Sequence, residues 1–209
     1  MHYVFQFNVV WEHLPELLNG ALLTIELSAA AMALGLLLAV LCAYGGAAGP
    51  KPVRLLVQIF IIYFSLPVAG IRLTANTAAL LAMTVNLGAY ASEIIRAGID
   101  AIPQGQVEAA RALGLRRLQI FRFVILFPAL KTVYPALASQ FILLMLSSSV
   151  VSTISAVELT AITNSLQSTT FRSFEFYFVA TGLYLAMALG FRVVLNAIYW
   201  QVFQRGRAA

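Results

Sequence analysis

Long apolar runs limit what this chain can fold into more than any other feature of its sequence. Residues 20–44 are almost all apolar, which is long enough for a helix to cross the roughly 30 Å hydrocarbon layer of a membrane. Further spans are predicted at 74–97, 118–146 and 176–203. Only 10% of the residues are charged, whereas a soluble domain carries about 25%. The sequence therefore predicts an all-α integral membrane protein with a single domain over residues 1–209.

A fifth apolar segment, residues 55–69, is weaker than the others. It has about 15 residues and contains Pro67, so it is shorter than the roughly 20 residues that a straight span needs. Counting it as a span gives five crossings and places the two termini on opposite sides of the membrane. Before the first span, residues 1–19 are expected to form a short interfacial helix with Trp11 at headgroup level.

The distribution of basic residues favours five spans. With the C-terminus in the cytoplasm and the N-terminus outside, nine basic residues lie inside and two, Arg72 and Arg172, lie outside. The inside set is Lys51, Arg54, Arg96, Arg111, Arg116, Arg117, Arg122, Arg205 and Arg207. If residues 55–69 do not cross, the ratio falls to seven against four. Because cytoplasmic loops are enriched in Lys and Arg, the five-span topology is preferred.

The loop between the third and fourth spans, residues 100–128, predicts a short helix over about 104–115. Pro103 is placed to begin it, because its fixed φ suits a first helical turn. Glu108 is expected early in the helix, where the helix dipole favours a carboxylate. Small side chains at Ala109 and Ala110 would let a partner approach closely, and Gly114 allows a sharp turn.

This loop resembles the EAA loop of membrane subunits of ATP-binding-cassette (ABC) importers, in which E-A-A is followed by three residues and a glycine. The preceding residues 86–99, NLGAYASEIIRAGI, resemble the polar amino acid branch of that family. Two features depart from the branch. An R-G-T-P-like element is absent before residues 56–60, and the charged pair of a K-D-T-S-L-V-S stretch is replaced by Leu146 and Ser147, so substrate contacts of that pair do not transfer.

The resemblance implies a permease of the type I ABC importer fold. Its coupling helix would dock on a cytoplasmic ATP-binding subunit dimer through four residues: Glu108, Ala109, Ala110 and Gly114. ATP and Mg²⁺ would bind to that partner and not to this chain. A second permease subunit, similar or identical, would complete the pathway, and a periplasmic binding protein would deliver a polar amino acid. The location implied is the inner membrane of a bacterium.

Polar residues within or beside the spans are the candidates for contact with a substrate. They are Asn86, Gln140, Ser147, Ser148 and Ser149, with Gln58 behind them. Hydrogen bonding between helices is the alternative role for each of them. The hydroxyl-rich segment 147–173 is too polar to face lipid, so it must line a cavity, contact protein or lie outside the bilayer.

No pattern in the sequence predicts an enzyme. His2 and His13 lack a neighbouring cluster of metal ligands, Cys42 is the single cysteine, and there is no P-loop motif. Ser147–Ser152 could suggest an intramembrane protease, but no base lies beside it in sequence. The net charge of +5 is explained by topology and needs no nucleic acid partner. A passive channel or scaffold subunit without ATP coupling is the remaining alternative to an importer.

Overall fold

The computed structural model describes residues 5–44 and 73–204, and every regular element within these ranges is a helix. The helices are α1 (Phe7–Glu12), α2 (Leu14–Tyr44), α3 (Ala75–Asp100), α4 (Gln104–Ala112), α5 (Arg117–Ile154), α6 (Leu159–Thr170) and α7 (Ser173–Tyr199). Helix α5 is π-helical over Ile120–Leu126 and ends in a 3₁₀ section, Ser148–Ile154. Helix α7 continues into a π-helical turn, Trp200–Gln204.

Four of these helices, α2, α3, α5 and α7, are long and apolar enough to cross a membrane. The predicted spans 20–44, 74–97, 118–146 and 176–203 match them, except that Thr74 precedes α3 and the last span includes the π-helical turn after α7. The all-α membrane fold is therefore confirmed. The predicted span 55–69, and Gln58 within it, lie outside the described residues.

The N-terminal region differs from the prediction of one interfacial helix over residues 1–19. Helix α1 ends at Glu12, and α2 begins at Leu14, six residues before the predicted start of the first span. The break at His13 is stabilised locally, because His13 Nδ1 lies 2.9 Å from Glu16 Oε1. Pro15 in the first turn of α2 loses no helical hydrogen bond there.

Helices α2 and α3 run parallel and make the most extensive contact between helices of the described bundle. A Cβ added at Gly35 would lie 2.9 Å from Leu87 Cβ and 3.0 Å from the carbonyl oxygen of Thr84. Small residues on α3, including Ala78 and Ala82, are fully buried. The five-span topology requires these two helices to be parallel, whereas the four-span alternative requires them to be antiparallel.

Helices α5 and α7 complete the bundle with alternating directions. Helix α5 runs antiparallel to α3, so that Gly98 lies against Val133 and Asn76 against Val157. Helix α7 runs antiparallel to α5, and the Tyr134 hydroxyl donates to the carbonyl oxygen of Leu195 at 2.5 Å.

The two ends of the bundle differ in charge. One end, here named the arginine end, contains the end of α3, helix α4 and the start of α5. It carries Arg96, Arg111, Arg116, Arg117 and Arg122. The other, the Glu158 end, contains the starts of α2, α3 and α7 together with α6. Arg172 is its only described arginine or lysine.

Candidate functional site

Helix α4 at the arginine end is shorter than the predicted coupling helix 104–115. It covers Gln104–Ala112, and Pro103 is the residue before it, with extended backbone at φ −61° and ψ 131°. Glu108 is the fifth residue of the helix and not in its first turn. Because the dipole effect falls off within the first turn, the expected stabilisation of its carboxylate by the dipole is wrong.

Gly114 ends helix α4 with left-handed backbone, at φ 78°. The N–H of Gly114 donates to the carbonyl oxygen of Arg111 at 2.9 Å, and the N–H of Leu115 donates to that of Ala110 at 3.2 Å. This pair of bonds is a Schellman motif, which satisfies carbonyl groups left without partners at a helix C-terminus. The sharp turn predicted at Gly114 is present, and it directs the chain into α5.

The two alanines of α4 face in different directions. Ala110 is buried where α4 packs against the π-helical turn of α5, whereas Ala109 is exposed. Glu108 is also exposed, and Leu113 is 80% exposed just after the helix. The buried side of the helix therefore ends at Ala110, because the Gly114 turn begins directly after it. The surface available to a partner includes Glu108, Ala109 and Leu113.

The predicted pathway residues occupy different parts of the bundle. Asn86 is buried in α3, and Gln140 and Ser147 are half-buried in α5. Ser148 is buried, and its hydroxyl donates to the carbonyl oxygen of Met145 at 2.7 Å. Ser149 donates to that of Leu146 at 3.1 Å. The hydroxyls of these two serines are thus bonded to their own helix.

Sequence reasoning missed a polar cluster around Glu158, the residue before α6. Glu158 is fully buried; one carboxylate oxygen accepts from the N–H of Ala161 at 2.8 Å, and the other accepts from the Tyr184 hydroxyl at 2.7 Å. Thr160 Oγ1 lies 2.8 Å from the same hydroxyl. The cluster caps α6 and ties it to α7. The signal in the sequence was a single carboxylate directly before the amphipathic run LTAITNSL.

Two other helices hold the same turn. Thr24 in α2 accepts from the N–H of Leu159 at 3.1 Å and donates to the carbonyl oxygen of Gly20 at 3.0 Å. Asn76 in α3 accepts from the N–H of Val157 at 3.0 Å. The turn between α5 and α6 is therefore bonded to three of the membrane helices. The polar segment predicted to avoid lipid packs here against protein.

The described chain thus combines four apolar helices of membrane-spanning length with a short, exposed helix at the end that carries the arginines, as a membrane transport subunit would require. Residues 31–202 match the family described as "Binding-protein-dependent transport system inner membrane component". The chain belongs to this family. The match confirms the resemblance to importer permeases and places the protein among inner membrane transport components and not among enzymes. It gives no support to a passive channel or scaffold.

Individual relatives agree with this assignment. The chain is 36% identical over 162 residues to the octopine transport system permease protein OccM of Rhizobium meliloti, covering 73% of this chain and 66% of that one. It is 30% identical over 210 residues to the glutamine transport system permease protein GlnP of Escherichia coli (strain K12), covering 93% and 96%. Among solved structures, it is similar to a chain of an amino acid ABC transporter crystallised with histidines. That similarity has a TM-score of 0.81 and 32% identity, covering 95% of this chain and 100% of that one.

Proposed function

We propose that this chain forms, with a second permease subunit, the membrane pathway of an ATP-driven importer for polar amino acids. The relatives named for glutamine and octopine transport support this substrate class, as does the amino acid transporter of known structure. A separate extracytoplasmic binding protein would deliver the substrate, in keeping with the family description. The family match carries the transport assignment, and the structure suggests how each partner could be engaged.

Coupling to a separate cytoplasmic ATPase is assigned to helix α4. Its exposed residues Glu108, Ala109 and Leu113 combine one charge with small and apolar groups that fit a groove on a partner. Ala110 anchors the helix on α5, and Gly114 sets its direction. A push on α4 would therefore be transmitted directly to a membrane-spanning helix. The ATPase would hold ATP and Mg²⁺, and this chain would bind neither.

The exposed face of α7 is the proposed contact surface for a second permease subunit. Gly182 and Gly190 both face open space, and Ala186 lies one helical turn from each of them. Small residues four apart let two helices approach closely within a membrane. This face can accept either a second copy of the chain or a related subunit.

The proposed orientation of the chain in the membrane is based on the different charges of the two ends of the bundle. The arginine end would face the cytoplasm, since basic residues concentrate on that side of a membrane. The Glu158 end, with helix α1 near it, would face outward and meet the binding protein. Helix α7 runs toward the arginine end, so the C-terminus would be cytoplasmic.

Contact with the substrate is assigned to Asn86, Gln140 and Ser147, with smaller contributions from Ser148 and Ser149. The latter two hydroxyls already donate to backbone carbonyl oxygens, so they can offer a substrate only their lone pairs. Gln140 and Ser147 are half-buried on α5, where part of each remains accessible. Side-chain amides and hydroxyls of this kind can donate to and accept from the polar groups of an amino acid.

The test is Glu108→Lys in the importer reconstituted with its ATPase, second permease and binding protein. Reversing the charge on the exposed face of α4 should reduce ATP-driven glutamine uptake by about tenfold or more, and should weaken recovery of the ATPase in a pull-down. Glu12→Lys, an exposed glutamate at the opposite end, is the matched control for the pull-down and should leave recovery of the ATPase unchanged. Unaltered uptake and unaltered ATPase recovery in Glu108→Lys would overturn the coupling role.

A further inference from the structure

A groove of about 650 Å³ lies at the arginine end, between helix α4 and the start of α5. It lies on the inner side of α4, away from exposed Ala109. Its apolar lining consists of Val107, Leu115, Ile120, Phe121 and Ile125, and its charged lining consists of Arg111 and Arg117. The groove therefore combines an apolar floor with two guanidinium groups.

The charges of the groove are suited to an anion. Arg111 and Arg117 are exposed, and neither forms an ion pair with a carboxylate in the described parts of the chain. Arg117 is also the first residue of α5, whose helical run extends over 38 residues. The N-terminus of a helix carries partial positive charge and N–H groups without helical partners. Two cations and a helix terminus thus face the same space, and no acidic residue is among its described lining.

The depth of the groove matches the membrane interface. Phe121 in its wall makes an edge-to-face contact with Tyr44, the last residue of α2, with ring centroids 5.0 Å apart. The groove therefore begins at the level where α2 ends. Tyr is enriched at that level in membrane proteins. Toward the bilayer the lining becomes apolar, at Phe121 and Ile125.

The geometry points to a phospholipid with an anionic headgroup as the occupant of this groove. The phosphate lies between Arg111 and Arg117, and the upper part of an acyl chain lies along Phe121 and Ile125. Guanidinium groups pair well with phosphate oxygens, and the apolar floor distinguishes a lipid from a free phosphate.

The assignment is tested by measuring which lipid the purified full-length chain retains. Native mass spectrometry would count lipids retained from detergent micelles containing phosphatidylglycerol or phosphatidylcholine with the same acyl chains. The unmodified chain should retain phosphatidylglycerol preferentially. In the double variant Arg111→Gln/Arg117→Gln the affinity for phosphatidylglycerol should fall by about 25-fold, roughly fivefold for each cation. The double variant Arg96→Gln/Arg122→Gln removes two exposed arginines at the same end that do not line the groove, and it should retain the lipid.

Several results would overturn the assignment. They are equal retention of the two lipids by the unmodified chain, equal losses in the two double variants, or displacement of the lipid by free glycerol phosphate at similar concentrations. Loss of ATPase recovery in Arg111→Gln/Arg117→Gln with lipid retention unchanged would instead make the groove an ATPase contact. Thermal unfolding of each variant in detergent should match that of the unmodified chain, so that a folding defect is recognised separately. The outcome is independent of Glu108→Lys, because Glu108 does not line the groove and lipid retention by the purified chain involves no ATPase.

Discussion

Helices α3 and α7 both have the length and composition of a membrane span, yet they contribute to the bundle in different ways. In the most apolar part of α3, 61% of the residues are buried within the chain, against 17% in α7. Helix α3 presents alanine and glycine to two neighbours, whereas α7 exposes Leu185, Leu189 and Val193. Small residues permit close approach of helix backbones. Large apolar side chains are as stable in contact with lipid as in contact with another helix. Apolar length thus indicates a membrane span, and residue size indicates which span lies inside the bundle.

The difference between α3 and α7 suggests different roles in transport. The seam between α2 and α3 makes a rigid unit, to which α5 attaches the proposed coupling helix. Helix α7 has polar contacts concentrated in its first half, at Glu175, Tyr177 and Tyr184, and leaves most of its apolar surface uncovered. A transporter needs such a division, because its rigid parts must transmit force and its free surfaces must meet other subunits.

The largest expected effect is at the α2–α3 seam. Gly35→Leu would place side-chain atoms against Leu87 Cβ and the backbone oxygen of Thr84, neither of which can move without shifting α3. Overpacking of this kind costs about 1–3 kcal/mol or more. The purified variant should lose most of its folded fraction or unfold at a markedly lower temperature in detergent.

Gly190→Leu on α7 is the matched control for Gly35→Leu, because nothing lies within 4 Å of the added Cβ. Its unfolding temperature should stay close to that of the unmodified chain. Comparable destabilisation by the two substitutions would remove the distinction between an inner and an outer span.

A smaller effect is expected at the Glu158 end. Glu158→Ala removes the cap of α6 and the carboxylate to which the Tyr184 hydroxyl donates. Loss of a helix cap costs about 1 kcal/mol, and an unsatisfied buried partner adds a similar amount. Chemical unfolding in detergent should show about 2 kcal/mol of destabilisation. Glu26→Ala, at an exposed glutamate on α2, should show almost none.

The smallest effect is expected where α5 meets α7. Tyr134→Phe removes the hydrogen bond to the carbonyl oxygen of Leu195. Hydrogen bonds between membrane helices contribute about 0.6 kcal/mol on average, so a loss of this size is expected in the same unfolding assay. Tyr90→Phe on α3 serves as a comparison, and it should be nearly neutral. A loss at Tyr134 as large as that at Gly35 would show α7 to be an integral part of the rigid unit.

Much of the fold could be predicted because water and lipid sort residues strongly by hydropathy. Four spans and the concentration of arginines at one end follow from apolar length and charge. The helix boundaries at His13 and Ile154 were missed, because they depend on local capping and on a serine-rich segment that continues α5 as a 3₁₀ helix. The inward direction of Ala110 was missed as well, since spacing alone does not say which face of a short helix meets its own chain.

The sequence by itself determined that this chain lies in a membrane and that its basic loop contains a short helix ended by Gly114. Both depend on local chemistry: transfer of apolar side chains from water to lipid, and the backbone freedom of glycine. Tertiary structure alone decided which spans are buried and where isolated polar groups find partners. Thr24 and Leu159 are bonded although 135 residues separate them, and Glu158 reaches Tyr184 on another helix. Such pairs arise because a bundle must satisfy its polar groups internally wherever neither water nor lipid can do so.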